Sequence, residues 1–402
     1  MSEAPPLSRT ASGIRASVFA ELAPHIEARA RAGGDLVELH LGDTHVEPPA
    51  EARFRRVEGV DYDASLYRYG AIPGVDALKE AFVKRLVALG AGPRDPDPRR
   101  DVLVGAGATH AIFCALRAVL DPGDEVLVAA PYWPLSVGIV RAAGAVPVEV
   151  PLTTRLSLEP GARAADILEA AVTPRTRALY LISPNNPDGF VYDDEPLREV
   201  AALAVARDLW VLSDEVYTDY VYEGAPASIA RLEGMQERTL SAYSLSKSHA
   251  LAGARVGFVV APARVVELAR RVSTHSVFNV PVAAQRVALA GLEAPAQWLE
   301  GARRTHREAR DATMAALAGS GVRATVPRGG SYVFVDFEPV LGGRPLVALL
   351  ERAIDRGVLL APGDGFGRDF ATWARLCFTS VPRARLLEGV ARLRRAIDDL
   401  RR

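Results

Sequence analysis

The sequence has little cysteine, no excess of either charge and no long apolar segment. Its 402 residues include two cysteines, Cys114 and Cys377, too few for a disulfide framework or a cysteine-rich metal site. The formal net charge of −1 gives no basic field that would hold nucleic acid or an anionic membrane. No apolar run approaches the ~20 residues of a membrane span, and the first residues lack the layout of a signal peptide. We therefore expect a cytoplasmic protein with neither a nucleic acid nor a membrane as partner.

Lysine is also scarce, and its scarcity points to one position. The 48 basic residues comprise 45 arginines and three lysines. Lys79 and Lys84 lie in a predicted helix, Asp76–Leu89, off its apolar stripe, so we expect both on a solvated face. Lys247 lies in a run of small residues, Ser244–Ala250. Because a lysine amine can lose its proton and attack a carbonyl whereas arginine stays charged, Lys247 is a candidate nucleophile.

The middle of the chain alternates short, almost continuously apolar runs with helical segments. This alternation predicts an α/β fold, with a mostly parallel sheet covered by helices on both faces. The predicted strands are Val102–Val104, Glu125–Ala129, Val146–Val150, Ala178–Ile182, Trp210–Ser213 and Gly257–Val260. The predicted helices between them are Thr109–Leu120, Pro134–Ala143, Ala162–Ala171 and Glu195–Arg207.

Both ends of the chain have a different pattern, which predicts a second, smaller α+β domain. The elements expected there are a helix over Ile14–Ala32, strands over Leu36–Leu41, Ser331–Phe337 and Arg375–Phe378, a long helical region over Val282–Leu317, and a closing helix from Arg383. The N-terminal elements are too few for a domain of their own. We therefore expect a large domain over residues 45–285 and a small domain formed by residues 1–44 and 286–402.

Ligands of open parallel sheets bind beyond the carboxyl ends of the strands, so the residues that follow each strand are candidates. Gly105–Thr109 follows the first strand and opens a helix, an arrangement that favours an anion such as phosphate. It is not a dinucleotide fingerprint, because His110 occupies the sixth position. A tight turn would also explain these residues. Tyr132 and Trp133 follow the next strand and either stack on a planar ligand or pack at the rim.

Three further segments follow strands or flank the lysine. The turn Ser183–Gly189 either aims an asparagine amide into a site or is turn chemistry alone. Asp214 follows a buried strand directly, so it either caps the next helix or pairs with a cationic ligand nitrogen. Ser244, Ser246 and Arg255 flank Lys247, where hydroxyls and a guanidinium can hold a phosphate. The seven histidines include no pair four residues apart with an acid nearby, so we expect no metal site.

One ligand carries a group that suits each of these segments. It carries a phosphate, a planar ring, a ring nitrogen that needs a carboxylate, a ring oxygen that needs a donor, and an aldehyde that a lysine can attack. Pyridoxal 5′-phosphate has each of these groups. The sequence therefore predicts a pyridoxal-phosphate enzyme.

The run from Ser244 to Gly257 resembles the lysine-attachment signature of the class I/II aminotransferases, which share the aspartate aminotransferase-like fold (fold type I). The resemblance covers nearly the whole chain. Its further landmarks are Tyr69 with Gly74 and Leu78, the Ser183–Gly189 turn, Asp214–Tyr217, Pro362-Gly363 and Arg375-Leu376. The turn departs from the family pattern at Ser183, where the family has Asn, and at Asp188, where it has Thr.

The resemblance implies a role for each matching residue around the cofactor. Lys247 would form the Schiff base and later move the proton between the substrate Cα and the cofactor C4′. Asp214 would keep the ring nitrogen protonated, Tyr217 and Asn186 would bind the ring oxygen, and Trp133 would stack on the ring. The residues implied to hold the phosphate are Gly107, Ala108, Thr109, Ser244, Ser246 and Arg255, with Tyr69 reaching in from the second subunit of a homodimer.

The resemblance also implies the substrates, an amino acid and a 2-oxo acid. Arg375, together with Asn186 and the Gly42 backbone, would bind the substrate α-carboxylate. From composition alone, one arginine among 45 is more often on the surface. The role of Arg375 therefore comes from the resemblance.

Three alternatives deserve weight. Ser244-x-x-Lys247 also occurs in serine acyl-enzymes, but that class needs a later Lys-Thr-Gly and no lysine follows Lys247. A ligand sensor of a transcription regulator would need a basic helix-turn-helix domain, for which about 40 N-terminal residues leave no room. The serious competitor is another reaction with the same cofactor, by a carbon–sulfur β-lyase, a synthase or an oxidase. Transamination is the commonest outcome for this architecture, and we expect it here.

Overall fold

The strands form three sheets and agree closely with the apolar runs of the sequence. A computed structural model describes residues 5, 7–15, 19, 21–58 and 63–401. Part of the helix expected over Ile14–Ala32 lies outside these residues, as do residues 1–4 and 6. The strands are β1 (Val37–Glu38), β2 (Val102–Ala106), β3 (Glu125–Ala129), β4 (Val146–Val150), β5 (Thr176–Ile182), β6 (Trp210–Asp214), β7 (Thr239–Ser244), β8 (Val256–Val260), β9 (Arg323–Ala324), β10 (Tyr332–Asp336), β11 (Val358–Leu359), β12 (Ala361–Pro362) and β13 (Trp373–Cys377).

The helices cover both faces of the largest sheet and both ends of the chain. They are α1 (Arg9–Ser12), α2 (Ala23–Arg31), α3 (Phe54–Glu58), α4 (Asp76–Ala88), α5 (Gly107–Val119), α6 (Pro134–Ala142), α7 (Leu152–Leu158), α8 (Ala164–Glu169), α9 (Asp194–Ala206), α10 (Leu245–Ser248), α11 (Ala263–Thr274), α12 (Val282–Leu292), α13 (Ala296–Leu317), α14 (Glu338–Leu341), α15 (Leu346–Asp355) and α16 (Arg383–Arg401). Among the helices of the described residues, none is long and apolar enough to cross a membrane.

The largest sheet has seven strands in the order β2-β8-β7-β6-β5-β3-β4. All neighbours are parallel except β8, which runs antiparallel to both β2 and β7. The mostly parallel sheet predicted from the sequence is therefore confirmed. The prediction lacked β7, because its sequence, Thr-Leu-Ser-Ala-Tyr-Ser, contains no apolar run, although every residue of it is buried.

Side chains of one strand alternate between two separate cores. Val126 and Val128 of β3 pack in the core beneath helices α5 and α11, whereas Leu127 and Ala129 pack in the core beneath α8 and α9. Successive side chains of a strand point to opposite faces, so a strand covered on both faces usually requires apolar residues along most of its length. This requirement explains why β3 was predicted with its exact bounds.

A second, antiparallel sheet has the order β12-β13-β10-β9 and packs with helices α13, α15 and α16. Strand β1 pairs in parallel with β11, so the N-terminal segment joins the C-terminal part of the chain, as expected. The long helical region forms two helices, because Pro295 precedes α13 and separates it from α12. The division of the chain into domains at residues 44/45 and 285/286 stays a prediction.

One expectation about lysine was wrong. Lys79 is only 1% exposed and makes an ion pair with Asp76 at 3.0 Å. Helix α4 packs against α12 as well as against the sheet, so more than its apolar stripe is covered. Lys84 is exposed, as expected.

Gly257 places strand β8 directly against the start of helix α5. A Cβ atom there would overlap the backbone nitrogen of Ala108, whereas a Cβ on Gly253 would meet no atom within 4 Å. We expect Gly257→Ala to lower the free energy of unfolding by ~1–3 kcal/mol, the usual cost of overpacking. Gly253→Ala is the matched control and should be near neutral. Urea unfolding measures both variants, and equal values for the two would contradict this view of the packing.

Candidate active site

A cavity of about 330 Å³ lies at the carboxyl ends of the parallel strands. It brings together most of the residues singled out in the sequence. The predicted residues that line it are Gly42, Ala108, Thr109, Trp133, Asn186, Asp214, Tyr217, Ser244, Ser246, Lys247, Arg255 and Arg375. Gly107 lies just outside this lining, beside Arg255. Tyr69 is the predicted residue that the structure places elsewhere.

Lys247 lies on α10, a helix of one turn that follows β7. Ser244 is the N-cap of this helix, and its hydroxyl accepts a hydrogen bond from the Ser246 backbone at 3.0 Å. The hydroxyl of Tyr220 donates to the Lys247 carbonyl at 3.0 Å and so fixes the lysine backbone. The Lys247 Nζ atom donates to the Gly42 carbonyl. The amine is thereby held at the cavity wall, while Lys79 and Lys84 lie on another helix.

Asp214 ends β6 and carries a buried carboxyl without an ionic partner among the described residues. It is 3% exposed and accepts hydrogen bonds from the Tyr180 hydroxyl at 3.2 Å and from the Val216 backbone at 3.4 Å. Burial raises its pKa to about 7. The helical turn that follows begins at Thr218 and is not capped by Asp214. Of the two roles left open by the sequence, the helix cap is therefore wrong, and pairing with a cationic ligand nitrogen stays a prediction.

An anion-binding corner lies where helix α5 begins. Gly107 has a φ of +77°, and a Cβ atom there would overlap the Arg255 guanidinium. Arg255 donates from one Nη atom to the Ala252 carbonyl at 3.0 Å, which orients the fork. The hydroxyls of Thr109 and Ser246 line the same cavity. A helix N-terminus, a guanidinium and hydroxyls together suit a phosphate.

Arg375 is buried, contrary to what composition alone suggested. It is 8% exposed, and its guanidinium donates to the Asn186 Oδ1 atom at 2.9 Å and to the His40 carbonyl at 2.7 Å. Its Nε atom is buried without a hydrogen-bond partner. Burial and the charge of Arg375 lower the pKa of His40 to about 4, so His40 stays neutral. The positive charge therefore has no ionic partner among the described residues, and a carboxylate would supply one.

Sequence reasoning missed Tyr180 and Tyr332. Tyr180 lies within a strand predicted from its apolar residues, and its hydroxyl reaches Asp214. Tyr332 begins β10 and lines the cavity, with its hydroxyl 2.7 Å from that of Tyr217. A polar aromatic residue at the second position of a predicted strand, two residues after Gly330, was the available signal.

Asp188, which stands where the family pattern has Thr, leaves the Ser183–Gly189 turn intact. The Asp188 Oδ1 atom accepts hydrogen bonds from the Asn185 side chain at 2.8 Å and from the Phe190 backbone at 3.0 Å. The Asn185 amide also donates to the Pro131 carbonyl at 2.9 Å, which ties the turn to the segment before Trp133. The carboxyl thus closes the turn through an oxygen acceptor. Burial raises the pKa of Asp188 to about 6.

Pyridoxal phosphate fits the residues of this cavity. Its ring nitrogen would give Asp214 the partner that the buried carboxyl lacks, and its phosphate would suit the corner formed by Gly107 and Arg255. A lysine amine lies in the same cavity. The fold and the site together define the class of pyridoxal-phosphate enzymes with fold type I.

Comparisons with known proteins agree. The family described as aminotransferase class I and II matches residues 36–393. The arginine–pyruvate transaminase of Pseudomonas aeruginosa is 36% identical over 352 residues, 87% of each chain. The aspartate/prephenate aminotransferase of Thermus thermophilus is 33% identical over 364 residues, 90% of this chain and 91% of that protein. The structure of Thermus thermophilus aspartate aminotransferase with maleate superimposes with a TM-score of 0.87 and 31% identity, over 98% of this chain and 100% of that chain.

The chain belongs to the class I and II aminotransferase family. It is a pyridoxal-phosphate-dependent aminotransferase with the aspartate aminotransferase fold, as the sequence predicted.

The charge state of Asp214 gives a testable prediction for the cofactor-free protein. A folded-state pKa near 7, above the ordinary 3.8, means that the folded state binds more protons between these values. Stability should therefore fall as the pH rises through this window and level off above it. Asp214→Asn should flatten this fall and be more stable than the wild type at pH 8. Urea unfolding from pH 5 to pH 8 measures the difference, and Asp188 contributes equally to both proteins.

Adding pyridoxal phosphate provides the second half of this test. A cationic ring nitrogen would stabilise the ionised carboxyl, so the cofactor should raise the unfolding midpoint of the wild type more than that of Asp214→Asn. If the wild type and Asp214→Asn gave parallel pH profiles of stability, and the cofactor stabilised both equally, Asp214 would have no cationic partner in the cofactor.

Proposed function

We propose that Lys247 binds the cofactor aldehyde and then takes and returns the proton at the Cα atom of the amino acid. The observation that carries this proposal is the single cavity that holds Lys247, Asp214 and Arg375, where neither Asp214 nor Arg375 has an ionic partner among the described residues. When bound, pyridoxal phosphate supplies an electron sink for the negative charge that forms at Cα. The amine is suited to proton transfer because it can exist in neutral form.

The other residues of the cavity hold the cofactor in this proposal. Asp214 keeps the ring nitrogen protonated, Tyr217 and Asn186 donate to the ring oxygen, and Trp133 packs on the ring face. The phosphate is held by Gly107, Ala108, Thr109, Ser244, Ser246 and Arg255. The Asn186 Oδ1 atom accepts from Arg375, which leaves the amide NH₂ group to donate into the cavity.

Arg375 binds the α-carboxylate of the substrate, with Asn186 and the Gly42 backbone beside it. A guanidinium that is already oriented by two neutral acceptors can present its remaining donors to a carboxylate. Because every amino acid and 2-oxo acid carries this carboxylate, the contact is common to both half-reactions. The named relatives use arginine and pyruvate or aspartate and prephenate, and these names favour transamination over lyase, synthase or oxidase chemistry.

We also propose a homodimer in which Tyr69 reaches the phosphate of the partner subunit. Tyr69 is 86% exposed and lies outside the cavity, with its ring edge-on to Phe278 at 5.0 Å. Val277 and Phe278 are themselves 40% and 43% exposed, so an aromatic and apolar surface surrounds Tyr69. Such a surface suits an interface between copies of the chain. A cytoplasmic location, like the lack of a nucleic-acid partner, stays a prediction from composition.

Mapping the attachment site tests the role of Lys247. Borohydride reduction should fix the cofactor covalently on Lys247, where mass spectrometry of the digested protein locates it. Lys247→Ala should fold with an unchanged urea midpoint and lose turnover, because no other lysine of the described residues lines the cavity. Lys84→Ala, at an exposed position, is the control and should keep full activity. An adduct on Lys79 or Lys84 would overturn the assignment.

Mixing two impaired variants tests the role of Tyr69. In a hybrid of Lys247→Ala and Tyr69→Ala subunits, one site carries both changes and the other carries neither. Random mixing should therefore restore about one quarter of the wild-type activity. Lys247→Ala mixed with the Lys247→Ala/Tyr69→Ala double variant is the control and should restore none. Activity no higher than the average of the two variants would place Tyr69 in its own subunit's site or outside both.

A further inference from the structure

Tyr332 contacts residues from two parts of the proposed site. It is 1% exposed, and its hydroxyl lies 2.7 Å from the Tyr217 hydroxyl. Its ring lies beneath Arg375, whose Cζ atom is 4.2 Å from the ring centroid. Tyr217 belongs to the loop after β6 in the parallel sheet, whereas Arg375 lies on β13 of the second sheet. Tyr332 therefore contacts both Tyr217, proposed to bind the cofactor ring oxygen, and Arg375, proposed to bind the substrate carboxylate.

The strand register accounts for the contact with Arg375. Strands β10 and β13 are antiparallel, with Phe334 opposite Arg375 and Tyr332 opposite Cys377. Tyr332 is thus the diagonal neighbour of Arg375 on the same face, a separation that aromatic side chains span. Phe366 flanks the guanidinium as well, with its ring centroid 5.0 Å from Cζ. Two aromatic rings hold the orientation of a guanidinium that lacks a carboxylate partner.

The hydroxyl of Tyr332 sets the direction of a hydrogen-bond chain. Two phenol hydroxyls in contact share one hydrogen bond, so one donates and the other accepts. If Tyr217 donates into the cavity, the hydrogen of the bond between the two hydroxyls comes from Tyr332. Burial raises the pKa of Tyr217, and the proximity of Tyr332 raises it further, so Tyr217 keeps its proton. In this arrangement, donation from Tyr332 directs the proton of Tyr217 toward the cavity.

Gly42 is the third neighbour. A Cβ atom on Gly42 would overlap the Tyr332 hydroxyl, so the backbone there lies directly against it. The Gly42 carbonyl accepts from the Lys247 amine. The Tyr332 hydroxyl thus also limits the position of the backbone carbonyl that accepts the hydrogen bond of the Lys247 amine.

We propose that Tyr332 is a positioning residue of the transamination site, whose hydroxyl orients Tyr217 and whose ring orients Arg375. The proposal rests on the proposed roles of Tyr217 and Arg375. The two functions reside in different atoms of one side chain. Substitutions that remove the hydroxyl or the whole ring can therefore separate them.

Two variants separate the hydroxyl from the ring. Tyr332→Phe keeps the ring, so the affinity of the loaded enzyme for propionate, a carboxylate without an amine, should stay within about twofold of the wild type. Tyr332→Leu removes the ring and should weaken propionate binding at least about threefold, the scale of one cation–π contact. Spectral titration of the bound cofactor measures both.

The hydroxyl has its own readout. A hydrogen-bond donor to the ring oxygen favours the deprotonated form of the bound cofactor. Loss of this donor should therefore raise the midpoint pH of the change in the absorption spectrum of the bound cofactor. We expect Tyr332→Phe to raise this midpoint in the same direction as Tyr217→Phe, by a smaller amount. An unchanged midpoint in Tyr332→Phe would overturn the role of the hydroxyl, and propionate affinities that are equal in the Phe and Leu variants would overturn that of the ring.

Tyr222 provides the matched control. It is buried, its hydroxyl donates to the Gly330 carbonyl at 2.6 Å, and Arg310 lies over its ring at 5.1 Å, all outside the cavity. Tyr222→Phe should lower stability and leave both site readouts unchanged, whereas a change as large as that in Tyr332→Phe would make the effect one of general packing. If the proposed role of Arg375 were wrong, Arg375→Lys would leave the propionate affinity unchanged. If the proposed role of Tyr217 were wrong, Tyr217→Phe would leave the pH midpoint unchanged. Either result is therefore distinguishable from failure of the role of Tyr332.

Discussion

Two buried ionisable groups, Asp214 and Arg375, neither with an ionic partner among the described residues, determine how this site is built. A buried charge is costly unless it is paired, and Asp214 and Arg375 are 3% and 8% exposed. Among the described residues, only neutral groups form hydrogen bonds with them: a tyrosine hydroxyl and a backbone amide for Asp214, an asparagine oxygen and a backbone carbonyl for Arg375. The protein thus holds two ionisable groups in environments that a ligand must complete.

The topology explains how these groups reach one cavity. The parallel strands deliver Asp214 and the turn that contains Asn186 to the same sheet edge. The antiparallel strand β8 starts at this edge, and so places Arg255 beside Gly107. The second sheet supplies Arg375 and Tyr332, and the N-terminal segment is joined to it by the hydrogen bond from the Cys377 backbone to the Leu39 carbonyl. The pairing of β1 with β11 forms a separate two-stranded sheet that ties the same segment to the C-terminal part of the chain. The cavity therefore depends on three separate parts of the chain.

The sequence predicted the features that are local and missed those that depend on pairing between distant segments. Strands β3 and β4 were predicted with their exact bounds because an apolar run, or a run between turn signals, is a local property. Strand β7 was missed because its polar residues find buried partners elsewhere, as Tyr243 does in Glu215. Tyr332 was missed for the same reason, since its partner Tyr217 lies 115 positions away. Lys79 was misplaced because its helix, α4, packs against α12, which is remote in sequence.

Asp214 and Arg375 line one cavity, yet they do not form an ion pair with each other. Asn186 accepts a hydrogen bond from the Arg375 guanidinium, and the Tyr332 ring lies against the same guanidinium. The Tyr180 hydroxyl donates to Asp214 instead. A direct Asp214–Arg375 ion pair would satisfy both groups without a ligand and would leave neither the cofactor nitrogen nor the substrate carboxylate a binding partner. The neutral neighbours of the two groups are therefore as necessary to the site as the two groups themselves.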